Sequence, residues 1–367
     1  MIVAEIVLWA SLAALVWTHV LYPLAAAGLA RLSPRPVRRA EIEPSVTVIV
    51  AAHDEEAVIE RRLDNLLALD YPAEKLEVVV ASDASTDRTD ELVGAYAPRV
   101  RLLRCERGGK VAAQNRAVAS AGGDVVAFSD ANAAWAPDAL RKLVRSFADP
   151  DVAYVTGRLK LLDAAGDNKE GLYWRYETWL RAQESRLQSV TGGNGSIYAL
   201  RRDDYVDVDP RFGHDLAFPY LMVQRGRRAV YEPEAAAYEK PTPTNETEYR
   251  RKVRMFEHCW LITLRGAMLR RLPPRYLLEI VSHRLLRYAS GVLHLVLLAT
   301  SILLVVEGRG WVYDAVLAAQ VVLLAAAAAG VGIARYYVLV TWATVAALAN
   351  YLRRGVPATW TPPEGTR

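Results

Sequence analysis

Cysteine is scarce in this chain: two residues of 367, Cys105 and Cys259. Two thiols so far apart supply no metal-ligand spacing and no disulfide framework, and they fit a reducing compartment. An excess of one charge is also lacking. With 45 basic and 41 acidic residues the net charge is +4, which gives a nucleic-acid partner no support. No basic residues precede the first apolar run, where Glu5 sits instead, so the run does not read as a cleaved secretory signal. Apolar residues, at 52%, are abundant and unevenly spread.

Ile6 to Ala30 is a charge-free run of about 25 residues, enough to cross a bilayer. Arg31, Arg35, Arg38 and Arg39 follow it, and the positive-inside rule then sets the N-terminus outside and the following chain in the cytosol. Tyr288–Val306, Ala315–Ala334 and Tyr336–Leu352 are further apolar runs of about 17 to 20 residues. The first two are expected to span. The third either spans, which leaves Arg353, Arg354 and Arg367 outside against the charge rule, or lies re-entrant or along the interface.

Between these runs the pattern changes. Val46–Ala51 is a β-branched run of buried-strand type. Ile59, Leu63, Leu66 and Leu67 repeat at helical spacing, and Tyr71-Pro72 ends that helix. Strands are expected at 77–81, 100–103 and 125–128, with helices around 89–96, 110–120 and from Pro137 onward. Strand and helix in alternation predict a parallel sheet covered on both faces, with ligands beyond the carboxyl ends of the strands.

The polar motifs fall at those ends. His53-Asp54-Glu55-Glu56, Ser82-Asp83-Ala84-Ser85-Thr86-Asp87 and Ser129-Asp130-Ala131-Asn132 follow three strands. Asp83 suits a base or ribose, or caps a turn. Asp130 and Asn132 suit a hard cation, Mg²⁺ or Mn²⁺, that shares its shell with phosphates, or form an Asx turn. Gly108-Gly109-Lys110 opens a helix and offers amides and an ammonium to an anion. Arg251 and Arg254 share a helix face and suit either a diphosphate or anionic lipid. Tyr173, Trp174, Tyr176 and Trp179 would stack on sugars, or pack in a core or at a membrane interface.

In order and spacing these motifs resemble the nucleotide-sugar half of family 2 glycosyltransferases, which have the GT-A fold, over roughly Pro44 to Trp260. The resemblance implies that Asp54, Glu55 and Asp83 hold base and ribose, that Lys110 and Asn115 lie near nucleotide or donor sugar, and that Asp130 binds the metal. Asn132 stands where the family usually has a second Asp. Gly193, Asn194 and Gly195 resemble the acceptor-side Gly-rich segment. Phe212-Gly213-His214-Asp215 resembles the acidic pair whose last member is the base, which assigns that role to Asp215, with His214 orienting it, serving as the base itself, or standing by. Processive members carry Gln-x-x-Arg-Trp where this chain has Arg251-Lys252-Val253-Arg254-Met255.

The expected architecture is therefore α/β: a transmembrane anchor (1–31), a GT-A, Rossmann-like nucleotide-sugar domain (44–260), an interfacial segment (261–287), C-terminal transmembrane helices (288–352) and a tail (353–367). The resemblance implies an inverting transferase in a bacterial plasma membrane. It would move sugar from a nucleoside-diphosphate sugar, UDP-sugar favoured, to a lipid-linked or glycan acceptor at the cytosolic face, among membrane lipids and without nucleic acid. A non-catalytic scaffold binding nucleotide-sugar is the alternative. A sugar nucleotidyltransferase is disfavoured, because Ala52-His53-Asp54-Glu55 replaces the Gly-rich loop that such enzymes need after the first strand.

Overall fold

The computed structural model describes residues 1–162, 171–241 and 244–359. Arg367, counted above in the tail, lies outside them. The chain opens with α1 (Ile2–Val16), a π-helical turn (Trp17–Leu21) and α2 (Tyr22–Leu32). The alternating part then runs β1 (Val46–Ala52), α3 (Ile59–Leu67), β2 (Leu76–Asp83), α4 (Thr89–Gly94), β3 (Val100–Cys105), α5 (Lys110–Ala119) and β4 (Val125–Asp130). Beyond it come β5 (Ala134–Trp135), α6 (Ala139–Val144), β6 (Val152–Leu161), α7 (Leu172–Leu187), β7 (Tyr198–Arg201), α8 (His214–Gln224) and β8 (Arg228–Glu239). The last part holds α9 (Asn245–Arg265), α10 (Pro274–Glu279), a second π-helical turn (Ile280–Leu285), α11 (Leu286–Tyr288), α12 (Ser290–Val306), α13 (Trp311–Ala328) and α14 (Gly332–Arg354).

Two compact units result. The globular one takes residues 26–243, 265–277 and those from 357 onward; the helical one takes 1–25, 244–264 and 278–356. The boundary differs from the expected 44–260, because α9 groups with the apolar helices. Its neighbours explain why: within the helical unit Trp260 donates to the Thr344 carbonyl at 3.1 Å and Asn350 to Glu257 at 2.8 Å.

In the globular unit one eight-stranded sheet has the order β3-β2-β1-β4-β7-β6-β8-β5. β1 to β4 are parallel, as the alternation predicts. The second half is not: β7 is antiparallel to β4 and β6, and β5 to β8. The sheet is thus mixed. β1 is buried along almost its whole length, which suits its run of Val and Ile. α3 buries Ile59, Leu63 and Leu66 against the sheet, with Arg62 on the same face. The helix expected from Pro137 begins at Ala139, with Asp138 at its N-cap.

In the helical unit, Ile2–Leu32, Trp311–Ala328 and Gly332–Arg354 are long and apolar enough to cross a membrane. Ser290–Val306 passes only together with Pro274–Tyr288, from which it bends by 62°. So the run at Tyr336–Leu352, in doubt from sequence, meets the length and apolarity criterion, whereas Tyr288–Val306 does so only as part of a bent pair. α1 packs on α12 through Leu8, Leu15, Leu297 and Leu304, and Arg309 bonds Glu5 at 2.6 Å.

One buried ion pair holds the globular unit's edge. Glu232 of β8, 1% exposed, receives Arg145 at 2.8 Å and Arg39 at 2.8 Å. Removing Arg145 leaves the buried Glu232 carboxylate with Arg39 as its cation and short of two charge-assisted hydrogen bonds, which costs about 2–3 kcal/mol. Arg145→Leu is therefore expected to lower the urea midpoint strongly, while the double variant Arg145→Leu/Glu232→Leu recovers part of the loss; equal midpoints for both would contradict this account.

Candidate active site

The register of the parallel strands builds the site. Ala52 of β1 pairs with Ser82 of β2, and Ala51 with Asp130 of β4. Three strands thus end level, and the acids after them share one crevice. At the β1 end, Asp54 accepts from the Thr86 amide at 2.7 Å. Desolvation raises its carboxyl, but the Thr86 and Asp87 bonds and nearby His53 hold it below the ordinary value. Asp54 has φ 52°, a left-handed turn that aims its side chain at the β2 loop. The Glu55 amide donates to Thr89 Oγ1 at 2.8 Å.

Asp83, 2% exposed, bonds the amides of Gly108 at 2.7 Å and Gly109 at 3.0 Å, and the Arg107 guanidinium. Its carboxylate holds the loop that presents Lys110. Gly109 has φ 89°, and a Cβ there would stand 2.2 Å from the Ala358 carbonyl oxygen, so only glycine fits.

Lys110 is the hub. Its ammonium pairs with Asp130 and lies in the fields of Asp215 and Glu239. Burial lowers its affinity for the proton, yet these carboxylates raise it above the ordinary value. Gly195 faces the pair: a Cβ there would stand 3.2 Å from both Asp130 Oδ2 and Lys110 Nζ. Asp215 sits in the first turn of α8. Its carbonyl accepts from the Gly193 amide at 2.7 Å, which ties the Gly-rich segment to that helix.

Several side chains expected to face ligands turn inward. Asn115 donates to the Val208 carbonyl at 2.9 Å and accepts from Tyr205 at 2.6 Å. Asn194 donates to the Gly157 carbonyl at 2.7 Å and accepts from the Ile197 amide at 3.0 Å, stapling its own turn. Gly193 makes room for protein: a Cβ there would lie 2.0 Å from the Tyr154 hydroxyl. His214, 4% exposed, is enclosed by Phe128, Tyr198, Tyr205 and Phe218, with Nδ1 3.0 Å from the Tyr198 hydroxyl. Burial, with Lys110 nearby, pushes its imidazole down to about 3. Its ring is thus held neutral inside the aromatic cage, with Nδ1 against the Tyr198 hydroxyl. Arg251 and Arg254 belong to α9 of the other unit; there Arg251 bonds Glu248 at 2.9 Å. Of the aromatic cluster, Trp174 donates to the Leu159 carbonyl at 3.0 Å, a packing role.

Two residues escaped the sequence reading. Glu239, at the end of β8, bonds Ser196 beside Gly195. β5 pairs Ala134 with Tyr238, which puts Glu239 next to the Asp130–Asn132 turn. Arg62 lies fully buried over the Trp135 ring, 5.0 Å from its centroid, in the fields of Asp130 and Glu239. Burial lowers its guanidinium to about 9. A charged residue three positions after Ile59 on the apolar face of α3 was the available signal.

Among the described residues no three His, Cys, Asp or Glu side chains form a ready cation cage. A Mg²⁺-type site needs fewer: one or two carboxylates complete their shell with substrate phosphates. Asp130, 29% exposed at its side chain, fits that requirement, and the Lys110 ammonium now supplies the positive charge beside it.

Residues 47–208 match the family described as Glycosyl transferase family 2. The curated Beta-monoglucosyldiacylglycerol synthase of Synechocystis sp. is 36% identical over 164 residues, 42% of this chain and 33% of that protein. The N-acetylglucosaminyltransferase of Rhizobium meliloti is 29% identical over 288 residues, 70% of this chain and 67% of that protein. The chain spans at most 45% of the glucosyldiacylglycerol synthases it matches. Among solved structures, the mannosyltransferase PcManGT of Pyrobaculum calidifontis, in complex with GDP-Man and Mn²⁺, is 27% identical with a TM-score of 0.75, over 95% of this chain and 99% of that one. The fold is therefore GT-A.

The two glycines separate packing from chemistry. Gly193→Ala forces Tyr154 aside and is expected to cost about 1–3 kcal/mol, lowering Tm by several degrees. Gly195→Ala crowds only Lys110 and Asp130, so Tm holds while nucleotide stabilisation falls; a reversed pattern would refute this division. His214 yields a pH test. Its neutral form is favoured by folding, so its contribution is complete above about 6.5 and is lost as pH falls toward 3, by about 2 kcal/mol between pH 6.5 and 5. His214→Gln is expected to flatten the acid limb of the Tm profile over that range, and parallel profiles would show that His214 does not set it.

Proposed function

We propose that the chain is an inverting glycosyltransferase that moves sugar from a nucleoside-diphosphate sugar to a lipid-linked or glycan acceptor at the cytosolic face of a bacterial plasma membrane. The observation that carries this reading is the hub itself, a half-buried lysine paired with Asp130 at the level ends of β1, β2 and β4 and lying in the fields of Asp215 and Glu239.

In the proposed reaction the nucleoside lies along Asp54, Glu55 and Asp83, whose bonds shape the crevice rim. Lys110 meets the diphosphate and offsets its charge. A Mg²⁺ or Mn²⁺ ion, held by Asp130 with Asn132, supplies Lewis-acid neutralisation of the leaving diphosphate when bound. The acceptor hydroxyl approaches past Gly195, where the missing side chain leaves the hub open. Its oxygen bonds the anomeric carbon, the carbon–phosphate-oxygen bond breaks, the proton passes to the Asp215 carboxylate, and nucleoside diphosphate leaves. PcManGT with its GDP-Man and Mn²⁺ supports a nucleotide-sugar and a divalent cation; a uridine donor remains the preferred reading of the motifs.

In this reading the C-terminal helices hold the chain in the membrane: Trp311–Ala328 and Gly332–Arg354 are each long and apolar enough to cross it, and Ser290–Val306 is so together with Pro274–Tyr288 as a bent pair.

Asp215→Asn is expected to reduce transfer by about 10²–10⁴-fold while thermal stabilisation by nucleotide with Mn²⁺ is kept. Full turnover in that variant would remove Asp215 as base. Donor binding with neither transfer nor donor hydrolysis in the unsubstituted protein would favour the scaffold reading.

A further inference from the structure

The buried cation of α3 has no part in the proposed reaction. Arg62 is 1% exposed, and a guanidinium so placed is costly unless partners offset its desolvation. Its hydrogen bonds are few. Nη1 donates to Asn65 Oδ1, one turn further along α3. Nε and Nη2 have no hydrogen-bond partner among the described residues. A basic side chain kept for folding alone would have its donors satisfied. What Arg62 meets instead is charge: the carboxylates of Asp130 and Glu239 stand within its electrostatic reach, and its guanidinium, lowered by burial to about 9, is still charged near neutrality.

Packing fixes that placement. The guanidinium lies over the Trp135 ring, 5.0 Å from its centroid. Asn65 grips the backbone of the same residue, accepting from the Trp135 amide at 2.8 Å and donating to its carbonyl at 2.9 Å. The Trp135 indole donates to the Ser196 carbonyl at 2.8 Å, and Ser196 bonds Glu239. Asp130 ends β4, and Asn132 lies in the short link that closes on Trp135 in β5. Two residues of one helix therefore act on this link in different ways: Asn65 by hydrogen bonds, Arg62 by charge. The link itself is poor in negative charge, with one carboxylate, Asp130, and a neutral amide, Asn132. A fixed positive charge nearby weakens the binding of a cation and strengthens that of an anion. Arg62 is too buried to touch either ligand, so its field is its means of action.

We propose that Arg62 is a positioning residue of the donor site, a buried charge that lowers the affinity of the Asp130–Asn132 turn for a free divalent cation and raises that of the crevice for the donor's diphosphate. The site then takes up cation and diphosphate together and stays largely empty of cation without the donor. This role rests on the transferase reading of the crevice.

The full-length protein in neutral detergent is titrated with Mn²⁺ alone, followed by loss of the free-ion paramagnetic resonance signal, and with UDP or GDP without divalent cation, followed by thermal stabilisation. Arg62→Gln and Arg62→Met both remove the charge, the second with an apolar chain of similar volume, a kind of replacement that buried ions often tolerate. Arg62→Lys keeps the charge, and Asn65→Ala loosens Trp135 while leaving Arg62 in place. In both neutral variants Mn²⁺ is expected to bind about tenfold more tightly and the nucleoside diphosphate about tenfold more weakly. Arg62→Lys is expected to stay close to the unsubstituted protein, and Asn65→Ala to weaken both ligands. Both affinities falling in the neutral variants, as a merely structural role would give, no change in either affinity, or Arg62→Lys matching the neutral variants overturns the proposal. Nucleotide binding by the unsubstituted protein without such a reversal removes the proposal alone; no binding of either nucleotide, with or without Mn²⁺, removes the transferase reading and the proposal with it.

Discussion

The common register of β1, β2 and β4 is the constraint on which the site depends. Parallel strands have no hairpin to fix their ends; hydrophobic alternation and crossover helices do so. Here Ala52 pairs with Ser82 and Ala51 with Asp130. A slip of one residue in β4 would turn Asp130 to the other face and part it from Lys110. The buried Val and Ile side chains of β1 that exclude such a slip are thus part of the site's geometry, though none touches a ligand.

Around that frame the polar groups divide into those that hold loops and those left facing the crevice. Asp54, Asp83, Asn115 and Asn194 spend hydrogen bonds on neighbouring backbone or hydroxyls. Such bonds keep buried loop amides satisfied, which a loop inside a crevice cannot leave to water. Lys110, Asp130, Asp215 and Glu239 make the electrostatic centre. His214, beside Asp215 in the chain, is a neutral ring in an aromatic cage with Nδ1 against the Tyr198 hydroxyl.

The first four strands were legible in the sequence, because β-branched runs alternate there with helical spacing. The mixed half was not. β5 has two residues and β7 four, too short for a period to register. Glu239 enters the site through the pairing of β8 with β5 and β6 and through its bond to Ser196, contacts across about 40 to a hundred positions that no local motif encodes. Loop side chains posed the opposite problem. Asn194 and His214 sit at the expected positions in the chain, but sequence spacing does not tell which way a loop side chain points, and both point inward.

The ring around Lys110 also has an electrical balance. Lys110 lies in the fields of Asp130, Asp215 and Glu239, and Arg62 in those of Asp130 and Glu239. Under the proposed reaction a diphosphate entering among these carboxylates gains from a further cation, and a cation alone finds few ligands there. Under the proposed reaction the two ligands are then thermodynamically coupled, each raising the other's affinity by the same factor. Equilibrium dialysis of either ligand with and without the other reads that factor directly, and a factor of one would refute the coupling. With such coupling, throughput would follow the product of two cellular concentrations, and a fall in free divalent cation would idle the protein even where its sugar donor is plentiful.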